Sequence, residues 1–346
     1  MTEVMPALKP SPRAVIPVRI AVVGLGYWGP NLVRNIAELQ TAELAAICDT
    51  SAARLETTHR RFPAATVETD YDTLLERDDI EAVALATPVS THFGLGQKAL
   101  KAGKHVFVEK PMAASLAEAR SLMALATETH LTLMPGHTFL YSPAVHLMKE
   151  TIDRGDLGEI YYIAMSRVNL GLHQSDVSVI CDLGAHDFAI LRYWLGESPT
   201  EVSAVTRNCV LPGTADVAFV DLRYGSGVLA HVELSWLAPG KLRRTVLVGS
   251  EKMAVYDDTS PEPVRIFDSG VDLREPRSFG EFRLTYRSGD IVSPHVDVAE
   301  PIGLELEDFC RAVRTGSTPR SSAHLGADVI DTIERAERAA GDSGSR

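Results

Sequence analysis

Several features that would place a chain outside the ordinary soluble class are scarce or missing here. There are four cysteines, Cys48, Cys181, Cys209 and Cys310, with no close pair and no metal-ligand spacing. Neither a disulfide framework nor a metal site is expected, and a reducing compartment fits best. No run approaches the ~18 uninterrupted apolar residues of a membrane span. Basic charge is in deficit, with 34 Lys and Arg against 46 Asp and Glu and a net charge of −12. That balance argues against non-specific binding to nucleic acid or to an anionic membrane. Residues 1–17 hold prolines and mixed charge without an apolar core, so they read as a flexible N-terminal segment and not as a signal peptide. What remains is a cytoplasmic chain of 346 residues, 45% hydrophobic and 23% charged, long enough for two domains.

What is present begins with alternation. From Val18 to about residue 139 short apolar runs alternate with amphipathic segments, which predicts an α/β domain with a doubly wound parallel sheet. Strands are expected at Val18–Val23, Leu44–Cys48, Ala82–Ala86, His105–Val108 and Thr132–Pro135. Between them lie helices such as Pro30–Leu39, His92–Ala102 and Ser115–Thr129, the last opened by a Ser115/Glu118 capping box. A second α/β domain is expected over 140–340. It has helices at Pro143–Arg154 and Asp182–Leu195, a strand at Ile160–Asn169, and an antiparallel run of strands from Glu201 to Asp257. Asp258 to about Ile291 reads as hairpin plus loop, two helices follow near Gly303–Thr315 and Leu325–Ala340, and 341–346 reads as a flexible tail.

Chemistry concentrates in four places. Ile20-Ala-Val-Val-Gly24-Leu-Gly26-Tyr27-Trp28-Gly29 reads as strand, tight turn and helix start, the geometry that holds a dinucleotide pyrophosphate. Asp49, at the end of the next apolar run, can accept hydrogen bonds from ribose hydroxyls and repel a 2′-phosphate. NAD is therefore favoured, with NADP left open by Arg54 nearby. Thr87-Pro88, then His92, ends the third strand toward the same cofactor, although Thr87 or Ser90 can equally be a plain helix cap. Glu109-Lys110-Pro111 leaves the next strand, where an ammonium can stabilise a developing alkoxide; a solvated surface lysine is the bland alternative. Asp182 and His186, one helical turn apart, suit a carboxylate-positioned imidazole for proton transfer, or equally a metal site or a buried structural histidine. No further metal-ligand motif accompanies them.

The ordered combination of Gly24-Leu-Gly26-Tyr-Trp-Gly29, Thr87-Pro88, Glu109-Lys110-Pro111 and Asp182-x-x-x-His186 resembles the Gfo/Idh/MocA oxidoreductases, the glucose–fructose oxidoreductase and inositol dehydrogenase family. Gly136-His137-Thr-Phe and Gly155-Asp-Leu-Gly158-Glu-Ile extend the likeness to about Val18–Ala340. The resemblance implies a Rossmann domain followed by a domain with an open, mainly antiparallel sheet that makes homodimer or homotetramer contacts. It implies Lys110 as the substrate-polarising lysine, Asp182 as the orienting acid and His186 as the proton shuttle. It implies cofactor contacts from the glycine turn, Asp49, Thr87, Pro88, His92, Glu109 and Lys110. The substrate would carry a secondary carbinol on a sugar, cyclitol or sugar nucleotide. Arg167-Val-Asn-Leu-Gly171 looks most like bacterial UDP-N-acetylglucosaminuronate 3-dehydrogenases, although His173 stands where those relatives suggest an arginine. Arg167, Asn169, His173 and Lys241 are the candidate substrate contacts. A dihydrodiol-type or small-carbonyl oxidoreductase, and a non-catalytic dinucleotide and sugar sensor, remain as other uses of the scaffold.

Overall fold

The computed structural model describes residues 16–171, 177–273 and 284–343. The first sheet is built from β1 (Val18–Val23), β2 (Ala42–Cys48), β3 (Thr66–Glu68), β4 (Ala82–Leu85), β5 (His105–Glu109) and β6 (Leu133–Gly136). All its pairs are parallel, in the order β3-β2-β1-β4-β5-β6. Helices α1 (Gly29–Glu38), α2 (Ala52–Arg61), α3 (Tyr71–Leu75), α4 (Val89–Lys101) and α5 (Leu116–Glu128) make the connections. The inner strands are buried on both faces, as Val18, Ile20, Ala21 and Val22 show, because helices cover both sides. The five expected strands are in place. The sixth, β3, is a three-residue edge strand with Thr66 and Val67 exposed, too short and too polar to register as an apolar run. Strand order reverses between β1 and β4, which opens a crevice at their carboxyl ends.

Among the described residues the second sheet has eight strands: β7 (Ile160–Leu170), β8 (Glu201–Arg207), β9 (Val217–Arg223), β10 (Leu229–Ser235), β11 (Leu237–Gly249), β12 (Met253–Asp257), β13 (Val264–Leu273) and β14 (Leu284–Val292). Their order is β14-β13-β12-β11-β7-β10-β9-β8. A simple meander is not what forms, because β7, first in the chain, sits between β10 and β11 and pairs parallel with β10. The other pairs are antiparallel. The segment after Asp258 supplies the β13–β14 pair, as the hairpin reading expects. One face packs Ile163, Met165, Val232 and Leu234 under α6 (Pro143–Asp153) and α7 (Ala185–Leu195), where the Trp194 indole donates to the Val145 carbonyl at 2.9 Å. The opposite face leaves Tyr162, Val205, Phe219 and Leu229 exposed.

The last two helices, α8 (Pro301–Thr315) and α9 (Ala323–Ser343), return to the first sheet. Phe309 meets Phe107 edge-on with ring centroids 5.8 Å apart. Glu334 accepts from the Leu116 N–H at 2.7 Å at the start of α5. The expected second domain therefore lends two helices to the first, and α9 runs three residues past its expected end at Ala340.

Candidate active site

The glycine turn follows directly from steric limits. Gly24 has φ +90°, and a Cβ there would lie 2.6 Å from the Ala86 carbonyl oxygen. A Cβ at Gly29 would lie 2.0 Å from the Gly24 oxygen. Both glycines are needed for the turn to seat between β4 and α1. Gly26 differs, because a Cβ there would meet nothing within 4 Å. Its backbone faces the open crevice, where the cofactor's pyrophosphate has room to approach. Helix α1 starts beside it with no side-chain cap, so its first N–H groups remain available to an anion. Tyr27 is exposed and Trp28 partly so.

Asp49 is buried and firmly held. Its Oδ2 accepts from the Leu25 N–H at 2.6 Å and its Oδ1 from the Ser51 N–H at 2.8 Å. Arg54 lies 3.7 Å away with an exposed side chain. The carboxylate is thus fixed next to the glycine turn and does not swing toward solvent, which suits a ribose diol.

Thr87 abuts the Gly24 turn, and Pro88 caps α4. His92 departs from the expected role. It is buried, and its two ring nitrogens lie 2.8 Å from the Thr87 carbonyl and 2.9 Å from the Pro111 carbonyl. Burial lowers its pKa. With both nitrogens turned to backbone, His92 ties the Thr87 turn to the segment after Lys110 and has no atom to offer a cofactor.

Lys110 leaves the end of β5 before a cis Pro111. Its ammonium donates to the Asp182 carbonyl at 2.8 Å and to Asp182 Oδ1 at 3.0 Å. The Trp236 indole donates to the other carboxylate oxygen, Oδ2, at 3.2 Å. Asp182 was expected to orient His186 and instead holds Lys110. The helix expected over Asp182–Leu195 opens with a wide π turn at Ile180–Gly184 before α7, and the carboxylate is claimed by partners from other elements.

His186 is partly exposed, with its Nδ1 enclosed and without a hydrogen-bond partner. Its ring stands edge-on to Phe139, centroids 4.8 Å apart. Burial, together with the nearby charges of Lys110, Arg167, His137 and Arg243, holds its pKa well below the usual histidine value. It is a neutral base at physiological pH.

Arg167, expected to meet substrate, is buried and spent on a bidentate pair with Asp187, at 2.9 Å from Nε and 2.8 Å from Nη2. Its guanidinium also covers Phe139 at 4.5 Å. It braces the wall of the site. Asn169 and Trp236 both close on Gly171, where a Cβ would lie 3.1 Å from Asn169 Nδ2 and 3.0 Å from the indole. Lys241 is exposed in the stretch where β11 loses register with β7, and no described contact ties it to Lys110 or His186. His173 lies outside the described residues.

Three groups were not singled out from sequence. Arg243 stands opposite Arg167 in the β7–β11 register, covers Phe139 at 5.3 Å and pairs with Asp258 at 3.0 Å. Glu305 of α8 is fully buried and accepts from the Thr138 hydroxyl at 2.7 Å. His137 is buried with neither ring nitrogen partnered. Arg243 and Glu305 have no local signal, because each is placed by partners distant in sequence, and His137 entered the sequence reading only as part of Gly136-His137-Thr-Phe.

Residues 18–137 match the GFO_IDH_MocA family, described as an oxidoreductase family with an NAD-binding Rossmann fold, and residues 145–255 match the GFO/IDH/MocA C-terminal domain. The chain is 30% identical over 319 residues to the scyllo-inositol 2-dehydrogenase (NAD(+)) of Bacillus subtilis, covering 87% of this chain and 88% of that one. It is 29% identical over 249 residues to the UDP-N-acetylglucosamine 3-dehydrogenase of Acidithiobacillus ferrooxidans, covering 70% and 75%. The crystal structure of GenD2 from gentamicin A biosynthesis, in complex with NAD, shares the fold with a TM-score of 0.81 at 24% identity, over 97% of each chain.

Proposed function

Because the chain belongs to the Gfo/Idh/MocA family of NAD-binding oxidoreductases, we propose that Lys110 and His186 handle the oxygen and proton of a secondary alcohol or ketone on a sugar, cyclitol or sugar nucleotide. The observation that carries this reading is the Lys110 ammonium, which leaves a strand of the sheet that also bears the glycine turn and Asp49 and is held by Asp182, four residues before the neutral His186. NAD, when bound along Gly24–Gly29 and Asp49, supplies the acceptor or donor of hydride.

Lys110 has three N–H donors and gives two to Asp182, one to the carbonyl and one to Oδ1. The third is available to the substrate oxygen, where it stabilises negative charge as the C–H bond breaks. His186 takes the hydroxyl proton, which its neutral form permits. In the reducing direction the same groups act in reverse. The substrate classes follow from the relatives, one named for an inositol and one for a UDP-sugar. A charge-matched Arg243–Asp258 pair, with donor and acceptor side by side, suits the hydroxyls of a polyol.

The test is reduced-nicotinamide absorbance with NAD⁺ and NADP⁺ against inositols, free sugars and UDP- or dTDP-sugars, and the reverse assay with keto sugars. Activity is expected with one class and with NAD⁺ preferred. Lys110→Met should lower kcat by about 10²- to 10³-fold and His186→Ala by about 10²- to 10⁴-fold, with NAD binding retained. Either variant keeping more than a tenth of wild-type turnover would remove that residue from the mechanism.

A further inference from the structure

Among the described residues, eight buried side-chain polar atoms have no hydrogen-bond partner, and Thr41, Arg167 and Arg265 carry three of them. The other five are Glu109 Oε1 at the end of β5, both ring nitrogens of His137 just after β6, His186 Nδ1 in α7 and Glu305 Oε1 in α8. A buried polar atom without a partner is costly, so a native site that collects them has a use for their hydrogen-bonding capacity. Four elements converge here, and the charged groups Lys110, Arg167 and Arg243 face His186. Thr138 donates to Glu305 Oε2 at 2.7 Å. Lys110 and the Trp28 indole act on Glu109, Asp308 of α8 acts on Glu305, and Lys110 acts on His137. Gly136 passes so close to Glu109 Oε2 that a Cβ would lie 3.2 Å away.

We propose that Glu109 and Glu305 form a buried carboxyl pair that stores the proton taken from the substrate hydroxyl, with His137 and water joining the pair to His186 and Lys110. This rests on the dehydrogenase reading above. In the dehydrogenase reading NAD is the acceptor for the hydride lost from the carbinol carbon, so only the proton needs a destination. The C–H and O–H bonds both break, the O–H electron pair forms the carbonyl, the proton passes to His186, and it ends on the Glu109 carboxylate as a carboxylic acid. Reduction draws it back.

The relative basicities run in the direction this needs. His186 is held well below its ordinary value and His137 is lowered to about 3, so neither imidazole is a resting place for a proton. Burial pushes Glu109 up to about 7 against the pull of Lys110 and Trp28. Burial and the charge of Glu109 push Glu305 far above the usual carboxylate range, against the Thr138 hydrogen bond. The imidazoles pass the proton and the carboxylate keeps it. A purely structural Glu305, serving only as acceptor for Thr138, would be indifferent to this traffic.

Infrared difference spectroscopy of the full chain, with and without NAD, tests the idea through the C=O band of protonated carboxyl groups. The band is expected near neutral pH, fading as pH rises and reduced in both Glu305→Gln and Glu109→Gln. Thr138→Val should move its frequency, which keeps the test open if Glu305→Gln does not fold. In turnover, Glu109→Gln removes the group that holds the proton, so the dependence of kcat/KM on pH near neutrality is expected to flatten. Absence of the band in the wild type at neutral pH would overturn the proposal. So would Glu305→Gln leaving the band unchanged, or Glu109→Gln leaving the pH profile unchanged. The band is read without turnover, so a silent substrate panel would count against the dehydrogenase reading and leave the carboxyl pair to be judged by its own spectrum.

Discussion

The pairing of Lys110 with Asp182 changes what each residue at the site is asked to do. If Asp182 serves by fixing Lys110, Asp182→Asn lowers kcat by about tenfold to a hundredfold, the loss typical of a displaced catalytic group. In a Lys110→Met background the same change should cost almost nothing further, while in a His186→Ala background it should keep its full effect. The opposite pattern in that double-mutant cycle would return Asp182 to the histidine. His137 gives a separate prediction in pH. Its imidazole titrates near 6.5 when unfolded, and burial beside Lys110 lowers it to about 3 in the fold. Between those values the unfolded chain binds more protons, so stability contributed by the neutral ring is lost as pH falls through that window. Relative to His137→Gln, the wild type should lose Tm between about pH 6.5 and about pH 4 in calorimetry. A constant gap would show that the ring does not titrate this way. Lys110 stood out in the sequence by its place after a strand, and Asp182 and His186 by their spacing of four. The partners of Asp182, and the Arg167–Asp187 pair, were not, since each joins residues that only folding brings together.

At the scale of elements, the strand–turn–helix that begins the chain was the most legible part, because glycine at a tight turn has a steric cause. Packing and cofactor approach can be separated by adding one methyl group at either of two glycines. Gly29→Ala drives a Cβ against the Gly24 carbonyl, and is expected to destabilise the fold by about 1–3 kcal/mol in urea titration. Gly26→Ala places its methyl in open space, and is expected to leave the urea midpoint near wild type while weakening NAD in a fluorescence titration. Equal losses of stability in the two variants would contradict this division. Elements were less legible where local pattern does not decide them. Edge strand β3 is three residues long, and the π turn at Ile180–Gly184 has the same apolar spacing as an α-helix start. The central place of β7 in its sheet is set by pairing partners far along the chain, which periodicity within one strand does not encode.

For the whole molecule, the two-sheet plan was visible in the change from alternating helices and strands to a run of strands, but the layout of its surfaces was not. The uncovered face of the second sheet carries Tyr162, Val205, Phe219 and Leu229, an apolar surface that isolated chains seldom leave to water. Light scattering is expected to give a homodimer or larger assembly, and Phe219→Glu with Leu229→Glu to reduce it to single chains. A monodisperse monomer for the wild type would set that face aside. The return of α8 and α9 was equally hidden, because nothing local in those helices names Phe107 or Leu116 as partners. It bears on how the protein is born. The segment that binds the nucleotide leaves the ribosome before the second sheet, yet its core is closed by helices translated after that sheet. The nascent chain must therefore carry an unfinished nucleotide fold, with Phe107 awaiting Phe309, until α8 has emerged.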